Sequence, residues 1–219
     1  MGVKISEFLL RDYWYRRLAG EITRGARGDE AKLEALLGWT RDHIRRIPAG
    51  WPVMDDHILY IIVRGCGEED QVADVFTCLS SYSGIPAFWG VVKPGPGSKA
   101  EERLVLSFAL VQGRWTVWDV ARGIVFRRKD GSPASVSELA TDREFGSLNV
   151  SRLNHQGRPY AEYLSKGLPH FFAPVFSRAQ KQMPLPRVFF EAKRFCFRLW
   201  NGWSRWQEEA FDPKIIFGN

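Results

Sequence analysis

Residues able to form disulfides or hold metals are scarce in this chain. Its 219 residues include three cysteines, Cys66, Cys78 and Cys196, and four histidines, His43, His57, His155 and His170. An odd cysteine count with no zinc-ligand spacing excludes a disulfide framework and a Cys/His metal site. Long apolar runs are lacking too. No stretch reaches the roughly 20 uninterrupted apolar residues that a membrane-spanning helix needs. At the start, MGVKISEFLLRDYWYRR breaks its apolar run with acids and arginines, which is not the layout of a signal peptide. A reduced, cytoplasmic protein is therefore expected. Met1-Gly2 with Ser6 fits the myristoylation pattern in form only. No cofactor is expected: Pro94-Gly95-Pro96-Gly97 reads as a turn without the strand–turn–helix context of a phosphate cradle. Asp55-Asp56-His57 reads as solvated loop, since sequence neighbours rarely converge on one metal ion.

What is present is ordinary for one globular core: 45% hydrophobic and 26% charged residues. A net charge of +6 permits an acidic partner, but the positive residues are scattered in arginine pairs and read as a solvated basic surface.

Along the chain, residues 4–20 show helical spacing, with Ile5, Phe8, Leu9, Tyr13 and Leu18 placed on one face. Asp29 reads as the N-cap of a second helix, whose apolar stripe runs from Leu33 to Ile47 and stops at Pro48. HILYIIV, before Arg64, is too short to assign and reads as a buried helical turn or strand.

Residues 65–87, GCGEEDQVADVFTCLSSYSGIPA, organise the rest. A glycine-rich turn meets the acids Glu68, Glu69 and Asp70. Apolar residues at helical spacing follow, and Gly84 and Pro86 end the segment. This predicts a helix from about Glu69 to Ser83 and a strand from Ile85. Residues 103–111 and 114–120 alternate as strands around a Gln112-Gly113 turn, which predicts a hairpin. Residues 124–127 read as an edge strand. Residues 135–140 read as a short helix with a Ser135/Glu138 capping box, and residues 159–168 as another helix.

The order glycine turn, helix, Gly84-Ile85-Pro86-Ala87, strand resembles the core of the transglutaminase-like (papain-like cysteine protease) superfamily. Active members place a Cys at the helix start, where the dipole lowers its pKa. In this chain Gly67 to Ala73 lies over that motif, with Glu69 at the nucleophile position. The resemblance implies a catalytic His on the second strand and an orienting Asp on the third. Trp115 to Asp119 matches the third-strand motif. The second strand carries no histidine, so Leu104, Leu106 or Ser107 stands in its place. The expected fold is α+β: a central helix on a small antiparallel sheet, with helical extensions at both ends. Residues 1–168 form the domain in this reading. The expected state is catalytically inactive, with Glu69 and Asp119 as vestigial positions and Cys66 as the alternative nucleophile of a thiol hydrolase. Of the four histidines, His43 and His57 precede the helix, and His155 and His170 are expected well beyond the sheet. A paired-carboxylate site of Glu69 and Asp119 is weighed against a helix-capping Glu and an Asp bonded to backbone or arginine, and the second is favoured.

Residues 169–219 are dense in aromatic and basic residues. From Arg187 a polar stripe at helical period includes Arg194 and Arg198, beside an apolar face bearing Trp200, Trp203 and Trp206. These five residues are the expected binding surface, packed on the body or on a protein partner. An anionic membrane surface or an acidic glycan is the alternative. Glu191, Glu208, Glu209 and Asp212 offset the basic residues and argue against nucleic acid. The functional expectation is a binding or scaffolding module of bacterial type, by resemblance linked to surface-polysaccharide systems.

Overall fold

The computed structural model describes residues 2–48, 51, 57–93, 103–141, 153–164, 183, 184, 187–189 and 192. Helices α1 (Gly2–Ile22), α2 (Asp29–His43) and α3 (Ile58–Arg64) surround α4 (Glu69–Tyr82). A four-stranded sheet of β3 (Ala87–Val92), β4 (Leu104–Val111), β5 (Arg114–Asp119) and β6 (Ile124–Val125) takes α4 on one face. Its strand order follows the sequence and each pair is antiparallel. Two residues after α2, β1 (Arg45–Arg46) runs parallel to β2 (Cys66–Gly67). A short helix α5 (Val136–Thr141), a hairpin of β7 (Asn154–His155) and β8 (Arg158–Pro159), and α6 (Tyr160–Leu164) complete the described elements. The protein is α+β with small sheets.

Helix α4 is central because it can tolerate burial on all sides. Every residue from Gln71 to Ser80 is buried. Its polar members are satisfied locally: Thr77 Oγ1 donates to the Ala73 carbonyl at 2.8 Å and Ser80 Oγ to the Phe76 carbonyl at 2.8 Å. Asp74 accepts a 2.6 Å bond from Trp89 Nε1 on β3. Val75, Phe76 and Leu79 form one core with Leu33, Leu36 and Trp118. The opposite face of the sheet buries Phe88, Leu106, Phe108, Phe126 and Tyr160 in a second core. The β4–β5 turn needs left-handed backbone at both central residues, Gln112 (φ 50°) and Gly113 (φ 76°), the geometry that matches strand twist.

Several local expectations change. Helix α1 buries Tyr15 and Ala19, while Leu9 and Tyr13, expected inside, are each 53% exposed. The face that meets α2 and α4 is set by those neighbours, and a helix apolar on several sides does not reveal which side they take. Gly28, not Asp29, is the N-cap of α2, leaving Asp29 as an acid in the first turn. The helix stops at His43; Ile44 and Ile47 are buried in the strand segment instead. HILYIIV folds as α3, capped by His57, whose Nδ1 accepts from the Leu59 amide. Strand β3 begins at Ala87, because the Ile85 amide is still bonded to the Ser80 carbonyl.

Residue Ser135 and Glu138 form the capping box: the Ser135 amide donates to Glu138 Oε2 at 2.7 Å and the Glu138 amide to Ser135 Oγ at 3.4 Å. Ser135→Ala is expected to destabilise by about 1 kcal/mol, read as a lower urea midpoint at unchanged slope.

Candidate functional site

At the start of α4 three acids stand beside first-turn amides that have no acceptor within the helix ladder, and Asp70 Oδ1 accepts from the Gln71 amide at 2.9 Å. Glu68 is the N-cap, and Gln71 returns its side-chain oxygen to the Glu68 amide at 3.1 Å. Glu69 is the first helical residue. The chain leaving β5 passes Asp119 and turns through Arg122, bringing a guanidinium back to that helix end.

Arg122 is the hub. Its Nη2 donates to Glu69 Oε1 at 2.7 Å, and its Nη1 lies 3.1 Å from Asp119 Oδ2. The Arg122 amide also donates to Asp119 Oδ1 at 3.1 Å. One guanidinium therefore bridges the two carboxylates. Asp119 is fully buried and also accepts a 2.5 Å bond from the Tyr160 hydroxyl. Burial raises the Asp119 pKa, with the guanidinium and the Tyr160 hydroxyl pulling it part of the way back. Burial and the neighbouring carboxylate raise that of Tyr160.

The fifth member is His155, whose placement overturns the expectation that it lies far beyond the sheet. The β7–β8 hairpin carries it back, nearly fully buried, so that Nδ1 is 2.5 Å from Arg122 Nη2. A guanidinium can only donate, so Nδ1 accepts and the proton sits on Nε2. That Nε2–H donates to the Arg103 carbonyl at 2.6 Å, just before β4. Both ring nitrogens are committed. No imidazole comes from β4 itself: Leu104 and Leu106 are core residues, and Ser107 is buried without a hydrogen-bond partner among the described residues.

Cys66 sits in β2, half-buried, and its carbonyl accepts from Arg64 Nε at 2.7 Å. The described histidines are engaged elsewhere: His43 Nδ1 with the Trp39 carbonyl, His57 as a helix cap and His155 with Arg122. Cys78 is core, and burial raises its pKa well above the ordinary thiol value. No cluster of three or more metal-ligating side chains occurs among the described residues. Among them, no helix is long and apolar enough to cross a membrane. Arg194, Arg198, Trp200, Trp203, Trp206, Cys196 and His170 lie outside the described residues, as do Asp55, Asp56 and the Pro94–Gly97 turn.

The sequence reading weighed Glu69 and Asp119 as a carboxylate pair and favoured a capping Glu69 and an Asp119 bonded to backbone or arginine. Asp119 is bonded to the amide and guanidinium of Arg122, which also bridges to Glu69, while the cap is Glu68 rather than Glu69. That reading missed Arg122, His155 and Tyr160. Arg122 carries one signal, three residues after Asp119 in a glycine-containing turn. The other two arrive from a distant hairpin and helix that no local pattern ties to α4.

No protein-family model matches the chain, and no curated protein matches it. Two solved structures are similar over part of it. One is described as a candidate cysteine protease from Cytophaga hutchinsonii, at 17% identity and TM-score 0.43, covering 56% of this chain and 40% of its own. The other is described as a candidate protease from Parabacteroides distasonis, at 17% identity and TM-score 0.39, covering 51% and 26%. The chain thus spans well under half the length of either.

Asp119 gives the site a pH signature. Its folded pKa is raised above the unfolded value, so the folded state holds the proton more tightly. Stability from this group is then greatest below the ordinary aspartate value near 4. It falls as pH rises through the window up to the folded value, and is flat above it. Asp119→Asn removes the titration and keeps one acceptor oxygen for Arg122, while its NH2 group replaces the oxygen facing the Tyr160 hydroxyl, which can accept from it. The difference in unfolding free energy, wild type minus variant, is expected to decline across that window in urea titrations at stepped pH.

Proposed function

We propose that this chain is a catalytically inactive transglutaminase-like module that acts by binding. One observation carries the reading: the guanidinium of Arg122 fills the space between Glu69 and Asp119, and the imidazole beside it has both nitrogens committed. Acyl transfer needs a nucleophile, a free base to take its proton, and a group to orient that base. A carboxylate stands at the helix start, and His155 is held as a donor to backbone rather than as a base. The orienting carboxylate, Asp119, is spent on Arg122 and Tyr160.

The binding role draws support from the face of α1 and α3. Leu10, Trp14 and Leu18 with Leu59, Ile62 and Val63 line an apolar groove of about 450 Å³. Leu10 is 55% exposed and Val63 77% exposed, more apolar surface in one place than isolated exposed residues explain. The groove is lined by α1 and α3, and such an apolar trough between helices suits an amphipathic helix of a protein partner. A scaffolding role in a bacterial surface-polysaccharide system extends the same reading on resemblance alone. The thiol-hydrolase alternative has less support, because no described histidine is placed to activate Cys66.

The test compares native protein and Cys66→Ala on amide and ester substrates. Neither is expected to turn over above the buffer rate. Turnover in the native protein that disappears in Cys66→Ala would sink the inactive reading.

A further inference from the structure

A cleft of about 380 Å³ opens beside the Glu69–Arg122 pair. Four arginines from three separate elements line it: Arg41 from the last turn of α2, Arg45 and Arg46 from β1, and Arg122 from the turn after β5. Arg122 is spoken for by Glu69 and Asp119. Arg41, Arg45 and Arg46 are exposed, and none has a carboxylate within 4.0 Å among the described residues. Against Glu69 and the buried Asp119, the four guanidinium groups leave the cleft with a positive excess.

Arg41 lies against the turn that follows β5. Gly123 has φ +66°, and a Cβ added there would overlap the Arg41 guanidinium. Gly123 thus gives the arginine room to lie against the turn at the edge of the cleft. The cleft is not basic throughout: Ile44, Val72 and Val120 also line it.

We propose that this cleft binds a small phosphate monoester, its phosphate held by Arg41 together with one of Arg45 and Arg46, which alternate across β1, and its organic body against the apolar side. Guanidinium groups approaching from a helix end and a strand suit a tetrahedral acceptor that offers three oxygens, whereas a planar carboxylate is satisfied by one fork. The volume exceeds what a bare phosphate fills. This deepens the binding reading, resting on it in treating the vestigial site as a ligand site, and its test reads binding and chemistry separately.

The experiment titrates phenyl phosphate, inorganic phosphate, benzoate and a single-stranded oligonucleotide into the full chain by calorimetry, with phenol release followed in the phenyl phosphate samples. Phenyl phosphate is expected to saturate one site, with inorganic phosphate weaker and benzoate at least about tenfold weaker. Arg45→Gln with Arg46→Gln, both exposed and outside the core, is expected to weaken binding at least about tenfold. Glu69→Gln removes the negative charge in the cleft and is expected to tighten binding severalfold. Absence of saturable binding overturns the proposal and leaves the inactive reading standing. So do equal affinity for benzoate, no loss in the arginine variant, or a single-stranded oligonucleotide binding in preference to phenyl phosphate. Phenol release with binding intact supports the site and overturns the inactive reading instead.

Discussion

Replacing Arg122 by Leu is expected to destabilise the protein by about 3–5 kcal/mol, the usual cost of removing one partner from a buried ion pair. The loss falls on Asp119, whose side chain has no exposure, while Arg122 retains 26%. With the guanidinium gone, Asp119 keeps only the Tyr160 hydroxyl as a side-chain donor, together with the amide of residue 122. Its charge is then buried without compensation, and the carboxyl is driven to take up a proton. His155 Nδ1 and Glu69 lose their donor in the same step. For a chain of this size the melting temperature should fall by roughly 10 °C. Adding Asp119→Asn to Arg122→Leu removes the stranded charge and should restore part of the loss, which a general packing defect would not allow. A change below about 1 kcal/mol in urea unfolding, or no recovery in the double variant, would show that the network is a surface ornament.

How far this arrangement could be read from sequence depends on how local its causes are. Helix α4 was legible to within a residue, because its acids, its apolar period and the Gly84 stop all act within one helical length. The β4–β5 hairpin was legible for the same reason: Gln112-Gly113 dictates the turn. The side of α1 that turns inward was not, since Tyr15 is buried by α4 and α2, which only the packed fold brings to it. His155 was the largest miss. It reaches Arg122 across 33 positions through a two-residue hairpin, and a lone histidine in polar sequence carries no mark of its destination. Arg122 shows the intermediate case. Its spacing from Asp119 invites a local pair, but its second carboxylate, Glu69, lies 53 positions away.

Placing a thiol at Glu69, the position that the resemblance gives to a nucleophile, should create reactivity without creating catalysis. In Glu69→Cys the sulfur would stand at the first position of α4, near the Arg122 guanidinium. The helix dipole and that cation both favour thiolate, and such surroundings bring a thiol from about 8.5 into the range of roughly 3.5–7.5. At neutral pH, iodoacetamide should therefore label the variant about tenfold or more faster than it labels native Cys66. Turnover on amide and ester substrates is still expected at the buffer rate. Proton transfer by a positioned base is worth about 10²–10⁴ in rate, and His155 cannot supply it. Its Nδ1 accepts from Arg122 and its Nε2–H is held by the Arg103 carbonyl, so no lone pair faces the thiol. Removing Arg122 to free the imidazole would strand Asp119, so the contact that silences His155 also holds the site together. In the inactive reading proposed above, catalysis is blocked by the network rather than by one residue. Burst-phase thioester formation followed by turnover in Glu69→Cys, abolished by prior iodoacetamide, would show that a base remains available and would overturn that account.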